Sequence, residues 1–435
     1  MTNLDPAGTE EPWRRWFDGP CGWHEGEQLS TGDLAVVVIG YRAQEDLAAA
    51  VASLRAQQPA EIVVVNSGGG PVRDKLAGHL DHIRLIEVDA PLLVGAARNI
   101  GIDASHAPYV AFLAGDCLAA PGWVAARLEA HRAGSRAVAS AVAPPEGAGY
   151  WTRAAHLFLF GSRSPQVPAS MAERYGASYD RRVFAEAGYF NPALRIGEDS
   201  DLVQRLGPHL QASWTPGVVT IHPGPTSAAA FVRDLFGRGQ RAARHQVARR
   251  KGRPVVEFLR YLRSRNNLAL RLAREGLRLP AGQIMRLRPG FWLGALAYVA
   301  GVQQGFSTLD AAKADLQRSR EALDRGDLPA AIADAERAVS RNGEDIPTLL
   351  HLADLLRRDP AEATRLADLL RRVAWLAAFA VKPQLALVDW LLERQMLAEA
   401  TAFADLCKLG TPCETAVQAR LAEAAAGAGG APEPR

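Results

Sequence analysis

The chain has 435 residues, 48% of them hydrophobic and 22% charged, with a net charge of +3. That is the profile of an ordinary globular protein too long for one typical core, so more than one domain is expected. Its four cysteines, Cys21, Cys117, Cys407 and Cys413, have neither metal-finger spacing nor disulfide density, which excludes a disulfide scaffold and fits a reducing cytoplasm.

The opening "MTNLDPAGTEEPWRRWFDGP" carries acids and lacks the apolar core of an export signal, and residues 1–32 read as an N-terminal segment. From Asp33 the pattern alternates. The strand "LAVVVIGY" is followed by the helix "EDLAAAVASLRAQ", the strands "EIVVVNSGGG" and "IRLIEV", a helix through "GAARNIGIDAS" and the strand "YVAFLAGD". Continuous apolar runs alternating with helices predict an α/β domain whose parallel strands are covered on both faces. Gly68, Gly69 and Gly70 allow close backbone approach after the second strand, without a Rossmann or Walker fingerprint. In "YVAFLAGDCLAAPGW" a buried strand ends on Asp116. Ligands of open α/β sheets collect outside the carboxyl ends of strands, so this acid is placed to hold a metal or a nucleotide; a plain turn aspartate is the other reading.

After Ser227 strand signals stop. Between Arg233 and Arg288 there are 16 Lys and Arg against Asp234, Glu257 and Glu275, a net of +13. Such asymmetry points to a pyrophosphate group or an anionic membrane surface, or to a solvated helical face; nucleic acid ranks last because no recognition motif is present. The longest apolar run, Phe291 to Val302, is well short of the roughly 20 residues that span a bilayer. It reads as a buried helix or one lying on a membrane surface. From Leu309 a helix-pair repeat begins, with Ala322, Ala331 and Ala338 at tetratricopeptide spacing. It restarts with Leu349, Leu352, Ala353 and Leu356, a period of about 34 residues. The end, "AAAGAGGAPEPR", reads as a disordered tail.

Taken in order, these motifs resemble the inverting GT-A glycosyltransferases of family 2, over Asp33 to Gln246. That resemblance implies a Rossmann-like nucleotide-diphospho-sugar transferase domain over residues 33–227. A basic helical extension (228–306), tetratricopeptide-like (TPR-like) all-α repeats (307–425) and the tail (426–435) would follow. In the family a strand ends in a DxD motif whose acids hold the donor ribose and a divalent metal. Here Ala114, Gly115 and Asp116 align with it, so the last acid is present and the first is missing. Asp116 is then the metal-side carboxylate, suited to Mg2+ or Mn2+. "LVGAARNIGIDAS" resembles the family helix that turns Arg98 and Asn99 to the donor. "YDRRVFAEAGYFNPALRIGEDSDLVQRL" resembles its acceptor-side signature, with Glu198 and Asp199 as catalytic acids. "VVTIHPG" offers His222 as a metal ligand, and "FGRGQR" offers Arg238 and Arg241 to the diphosphate. Asn66, beside Gly68, stands where the family has a base-binding aspartate.

The chemistry asks for stabilisation of a departing nucleoside diphosphate and a base for the acceptor. Asp116, His222, Arg238 and Arg241 are expected to do the first and Asp199 the second. The expected partners are a nucleotide-diphospho-sugar and a glycan, lipid-linked or peptide acceptor, with an anionic membrane surface and a protein partner for the repeats. The expected location is the cytoplasm, peripheral on the inner membrane face. Two rivals stand beside this reading: a degenerate domain acting as a binding scaffold, which Ala114 and Asn66 favour, and a nucleotidyltransferase of similar fold, for which the first strand end offers only Arg42.

Overall fold

The computed structural model describes residues 11–17, 19–30, 32–207, 210–246, 254–377, 381–406 and 412–428. Two compact units divide the chain: Met1–Arg181 with Gly207–Phe306, and Arg182–Leu206 with Ser307–Arg435.

The first unit is built on a sheet of β1 (Cys21–His24), β2 (Leu34–Tyr41), β3 (Glu61–Ser67), β4 (Arg84–Val88), β5 (Tyr109–Ala114), β6 (Leu118–Ala119), β7 (Ala137–Ala143), β8 (Ser178–Asp180) and β9 (Ser213–Ile221). The strand order is β1-β4-β3-β2-β5-β8-β7-β9-β6. Strands β4, β3, β2 and β5 run parallel, as do β7 and β9, whereas β1, β8 and β6 pair antiparallel with their neighbours. The apolar runs of β2 and β3 are buried throughout their centres because helices cover both faces. On one face Val36, Val38, Val64 and Leu113 pack on Leu47, Val51 and Leu54 of helix Leu47–Arg55. On the other, helix Val94–Asp103 approaches so closely that a Cβ on Gly101 would overlap Val37. The chain leaves β2 toward β3 and β4 and later returns to β2's other side as β5, which makes the carboxyl ends of β2 and β5 the switch point where such sheets take ligands.

The described residues of the expected N-terminal segment, 11–17, 19–30 and 32, contribute structure. "CGWH" becomes β1 on the open edge of β4, with Cys21 opposite Val88. Trp13 and Trp16 are buried, and Arg15 forks onto Asp103 at 2.8 and 2.9 Å. In the basic extension, helices Ala228–Gln246 and Ala281–Asp324 cross at glycines: a Cβ on Gly239 would overlap the Tyr298 carbonyl, and one on Gly301 the Phe236 carbonyl. The run Phe291–Val302 is therefore one helix with a buried face, while Met285, Trp292 and Leu296 remain exposed on the other.

The second unit is all helix among the described residues. Helices Leu328–Arg341, Ile346–Leu356, Ala363–Leu376 and Val381–Glu393 each pack on the next, and Leu397–Leu406 and Pro412–Ala428 follow. Asp327 and Asp345 cap the first two, accepting from Ala330 N and Thr348 N at 3.1 Å. The periodic residues Ala322, Ala331, Leu349, Leu352, Ala353 and Leu356 form its core. Residues 426–428 end the last helix, and the rest of the expected tail lies outside the described residues.

Candidate active site

Asp116 follows β5 in a tight turn, fixed by Gly115 N donating to Ile39 O and Cys117 N donating to Ala114 O, both at 2.9 Å. Gly115 has no space for a side chain: a Cβ would stand 2.7 Å from Gln44 Nε2 and 2.9 Å from Ile39 O. His222 follows β9, its N–H donating to Ala143 O at 2.9 Å. The short β6 then pairs antiparallel with the end of β9, Leu118 opposite Ile221 and Ala119 opposite Thr220. Continuing that register by one step sets Cys117 across from His222. The ligating atoms of Asp116, Cys117 and His222 lie within 4.8 Å of one another. A carboxylate oxygen, a sulfur and an imidazole nitrogen gathered this closely fit one divalent cation.

The surroundings are aromatic and basic. The Phe160 ring packs on His222 at 4.9 Å between centroids and carries the Arg238 guanidinium at 5.8 Å on its ring. Arg238 also pairs with Asp234 at 3.0 Å, and the exposed Arg241 follows three residues further along the same helix. Burial pulls the His222 imidazole below its usual value, with Asp116 opposing the shift and Arg238 adding to it. Burial likewise raises the Cys117 thiol, helped by the Asp116 charge and by its hydrogen bond to Asp116 Oδ1 at 3.4 Å. Nearby His156 is held neutral down to about 4, by burial first and then by the charges of His222 and Arg163.

A second group gathers at the carboxyl ends of β2 and β3. Asn66 Oδ1 accepts from Ala43 N at 3.0 Å while its Nδ2 donates to Gly69 O at 3.1 Å, so this buried amide joins the two loops. Gly68, Gly69 and Gly70 all have positive φ, at 79°, 73° and 101°, and so do Arg42 and Ala43, at 53° and 47°. The left-handed stretch in "YRAQ" is held by Arg42 N donating to Ser67 O at 2.8 Å and by Tyr41 N donating to Gln44 Oε1 at 2.7 Å. It leaves the Tyr41 ring exposed. Arg98 lies over Phe112 of β5 at 5.3 Å, and the next residue, Asn99, is fully buried.

Glu198 and Asp199 open helix Glu198–Leu206 after Gly197, whose φ is +88°. They stand in the second unit with the C-terminal helices. Asp201 is committed to Arg205 at 2.8 Å, and Arg205 also donates to Tyr189 O at 2.7 Å. Asn191 Nδ2 donates to Trp375 O at 2.7 Å and Arg195 N to Glu344 Oε1 at 2.9 Å, tying the acidic segment to the helical region.

The structure thus brings Asp116, His222 and Arg238 together and seats Asn66 and Gly68 in one loop pair. Sequence reasoning missed Cys117 as a site residue, along with His156 and Phe160. Cys117 was visible beside Asp116, but only the strand register reveals its histidine neighbour. An open groove of about 660 Å³ beside Arg55, His79 and His82 lies at the amino ends of β3 and β4, away from these groups.

Residues 35–188 match the family model described as Glycosyl transferase family 2. The match contains Asn66, Gly68, Arg98, Asn99 and Asp116; Glu198, Asp199, His222, Arg238 and Arg241 lie beyond it. Among solved structures, the chain is 18% identical to the mannosyltransferase PcManGT from Pyrobaculum calidifontis in complex with GDP-Man and Mn2+, over 84% of this chain and 90% of that one, with a TM-score of 0.37. Glucosyl-3-phosphoglycerate synthase from Mycobacterium tuberculosis, in complex with Mn2+, UDP-glucose and phosphoglyceric acid, is 19% identical over 48% and 77%, with a TM-score of 0.35. S. aureus TarS 1-349 in complex with UDP-GlcNAc is 13% identical over 72% and 92%, with a TM-score of 0.32. No curated protein matches.

Proposed function

We propose that the protein is an inverting glycosyltransferase that moves a sugar from a nucleotide-diphospho-sugar to an acceptor hydroxyl or other nucleophile in a single displacement. The observation that carries this reading is the cluster of Asp116, Cys117 and His222 at the carboxyl end of β5, beside a stretch that matches a glycosyltransferase family. Asp116 and His222 would hold Mg2+ or Mn2+, which supplies positive charge to the leaving diphosphate. Arg238 and Arg241 add fixed charge on the same side, and electrostatic stabilisation of a departing oxyanion needs no further covalent chemistry. Tyr41, the glycine loop and Arg98 form the donor side, with Asn66 acting through the two loops it joins. Asp199 serves as the general base, with Glu198 beside it at a helix N-terminus.

The exposed Met285, Trp292 and Leu296, at the end of and just after the segment of net charge +13, support contact with an anionic membrane surface and a membrane-linked acceptor. The C-terminal helices, each packed on its sequence neighbour, support TPR-like repeats that take a protein or peptide partner. A thermal-shift screen of nucleotide sugars with and without Mn2+ tests the central reading. A Mn2+-dependent shift with one nucleotide class, followed by transfer of its sugar, is the expected result. No shift with any donor would leave the scaffold reading in its place.

A further inference from the structure

The proposed function assigns Asp116 and His222 to a cation and leaves Cys117 without a role. A buried cysteine is by default a small apolar filler, and Cys117 is 6% exposed. Its position argues otherwise. The pairing of Leu118 with Ile221 puts it across the ladder from His222, and its sulfur already donates to Asp116 Oδ1. Protein ligands at about 2.0–2.3 Å from one tetrahedral ion stand roughly 3.3–3.6 Å apart. Because the three ligating atoms lie within 4.8 Å of one another, side-chain movements of at most about 1–1.5 Å let them share one ion. Buried His156, whose ring neighbour Phe160 also packs on His222, keeps Nδ1 without a hydrogen-bond partner among the described residues.

We propose that Cys117 is a protein ligand of this cation site, and that its sulfur gives the site a preference for borderline cations such as Zn2+ or Co2+ over Mg2+ and Mn2+. The inference shares with the proposed function the premise that Asp116 and His222 bind a cation. Hard cations favour all-oxygen sets, whereas sulfur and imidazole together favour the later first-row metals. A thiol that joins the shell does so as thiolate, so metal binding releases a proton from Cys117 to solvent.

The test is direct binding of Co2+ to the full-length metal-free protein without nucleotide, read by absorption spectroscopy, for wild type, Cys117→Ser and Asp116→Asn. Thermal melts of the metal-free proteins control for folding, and Cys117→Ala stands in if the serine variant fails to fold. Wild type is expected to show a near-ultraviolet thiolate-to-cobalt band that Cys117→Ser lacks. Cys117→Ser should also lose Zn2+ affinity by more than the about 10–100-fold that removal of an outer-shell partner costs, with a much smaller change for Mn2+. Cobalt binding without a thiolate band, or a band that survives in Cys117→Ser, overturns the Cys117 assignment and leaves the proposed function standing. No binding of Co2+, Zn2+ or Mn2+ overturns both.

Discussion

Asp116 and His222 belong to strand ends far apart in the chain, yet the pairing of β6 with β9 brings their ligating atoms to within 4.8 Å. Neither residue type is unusual alone. What makes them a candidate site is that a mixed sheet ends two of its strands at one point, beside an arginine-bearing helix and at the strand ends where open sheets collect ligands.

Asp199→Asn should lower turnover by about 10²–10⁴-fold, the usual contribution of a general base, and leave nucleotide affinity unchanged. Steady-state kinetics beside calorimetric donor binding separates the two effects. Turnover near wild type would remove Asp199 from the chemistry and make Glu198 the next residue to replace.

Asn191→Ala removes the bond to Trp375 O and the acceptor for Ala193 N. Leaving buried partners unsatisfied costs about 1–3 kcal/mol, and the segment carrying Glu198 and Asp199 loses its anchor in the C-terminal helices. Transfer should fall while donor binding in the first unit persists. Equal loss of both would show that Asn191 supports more than the acidic segment.

Stability should fall in mild acid. His156 stays neutral in the folded chain down to about 4 but titrates near 6.5 when free, so unfolding takes up a proton between those values. The stabilisation is complete above about pH 6.5 and is lost as pH falls toward about 4, by roughly 3 kcal/mol for this group. His131 and His222 are shifted in the same direction. Denaturant melts from pH 7 to pH 4 should show the slope, and His156→Gln should reduce it without abolishing it. An unchanged slope in that variant would contradict the assignment.

Gly239→Ala should destabilise the first unit by about 1–3 kcal/mol or more, because its methyl group has no space beside the Tyr298 carbonyl. Gly237→Ala, on the same helix with Arg241 Nη1 its nearest neighbour at 3.4 Å, is the control. Equal melting temperatures for the two variants would refute the close crossing.

The strands that alternate with helices from β2 to β5 were legible because their buried β-branched runs carry the pattern of a covered parallel sheet. β1 was not: "CGWH" has no such pattern, and its pairing comes from the open edge of β4. Asp116 and His222 could be named from chain order, whereas Cys117 as His222's neighbour depends on a register set by tertiary pairing. Asn66 was legible only through the family resemblance, as the residue in place of a base-binding aspartate, and not as the amide that links Ala43 to Gly69. The grouping of 182–206 with the C-terminal helices was also hidden, since contacts such as Asn191 to Trp375 leave no local periodicity.

The most direct test of the site is calorimetric titration of the nucleoside diphosphate of the best donor into wild type and Asp116→Ala, each with Mn2+ and with chelator. We expect tight binding only for wild type with Mn2+, and a stabilisation of about 2.7 kcal/mol when the nucleotide is at 100 times its Kd. Affinity that neither chelation nor Asp116→Ala changes would contradict the assignment of this cluster as the cation site of a glycosyltransferase.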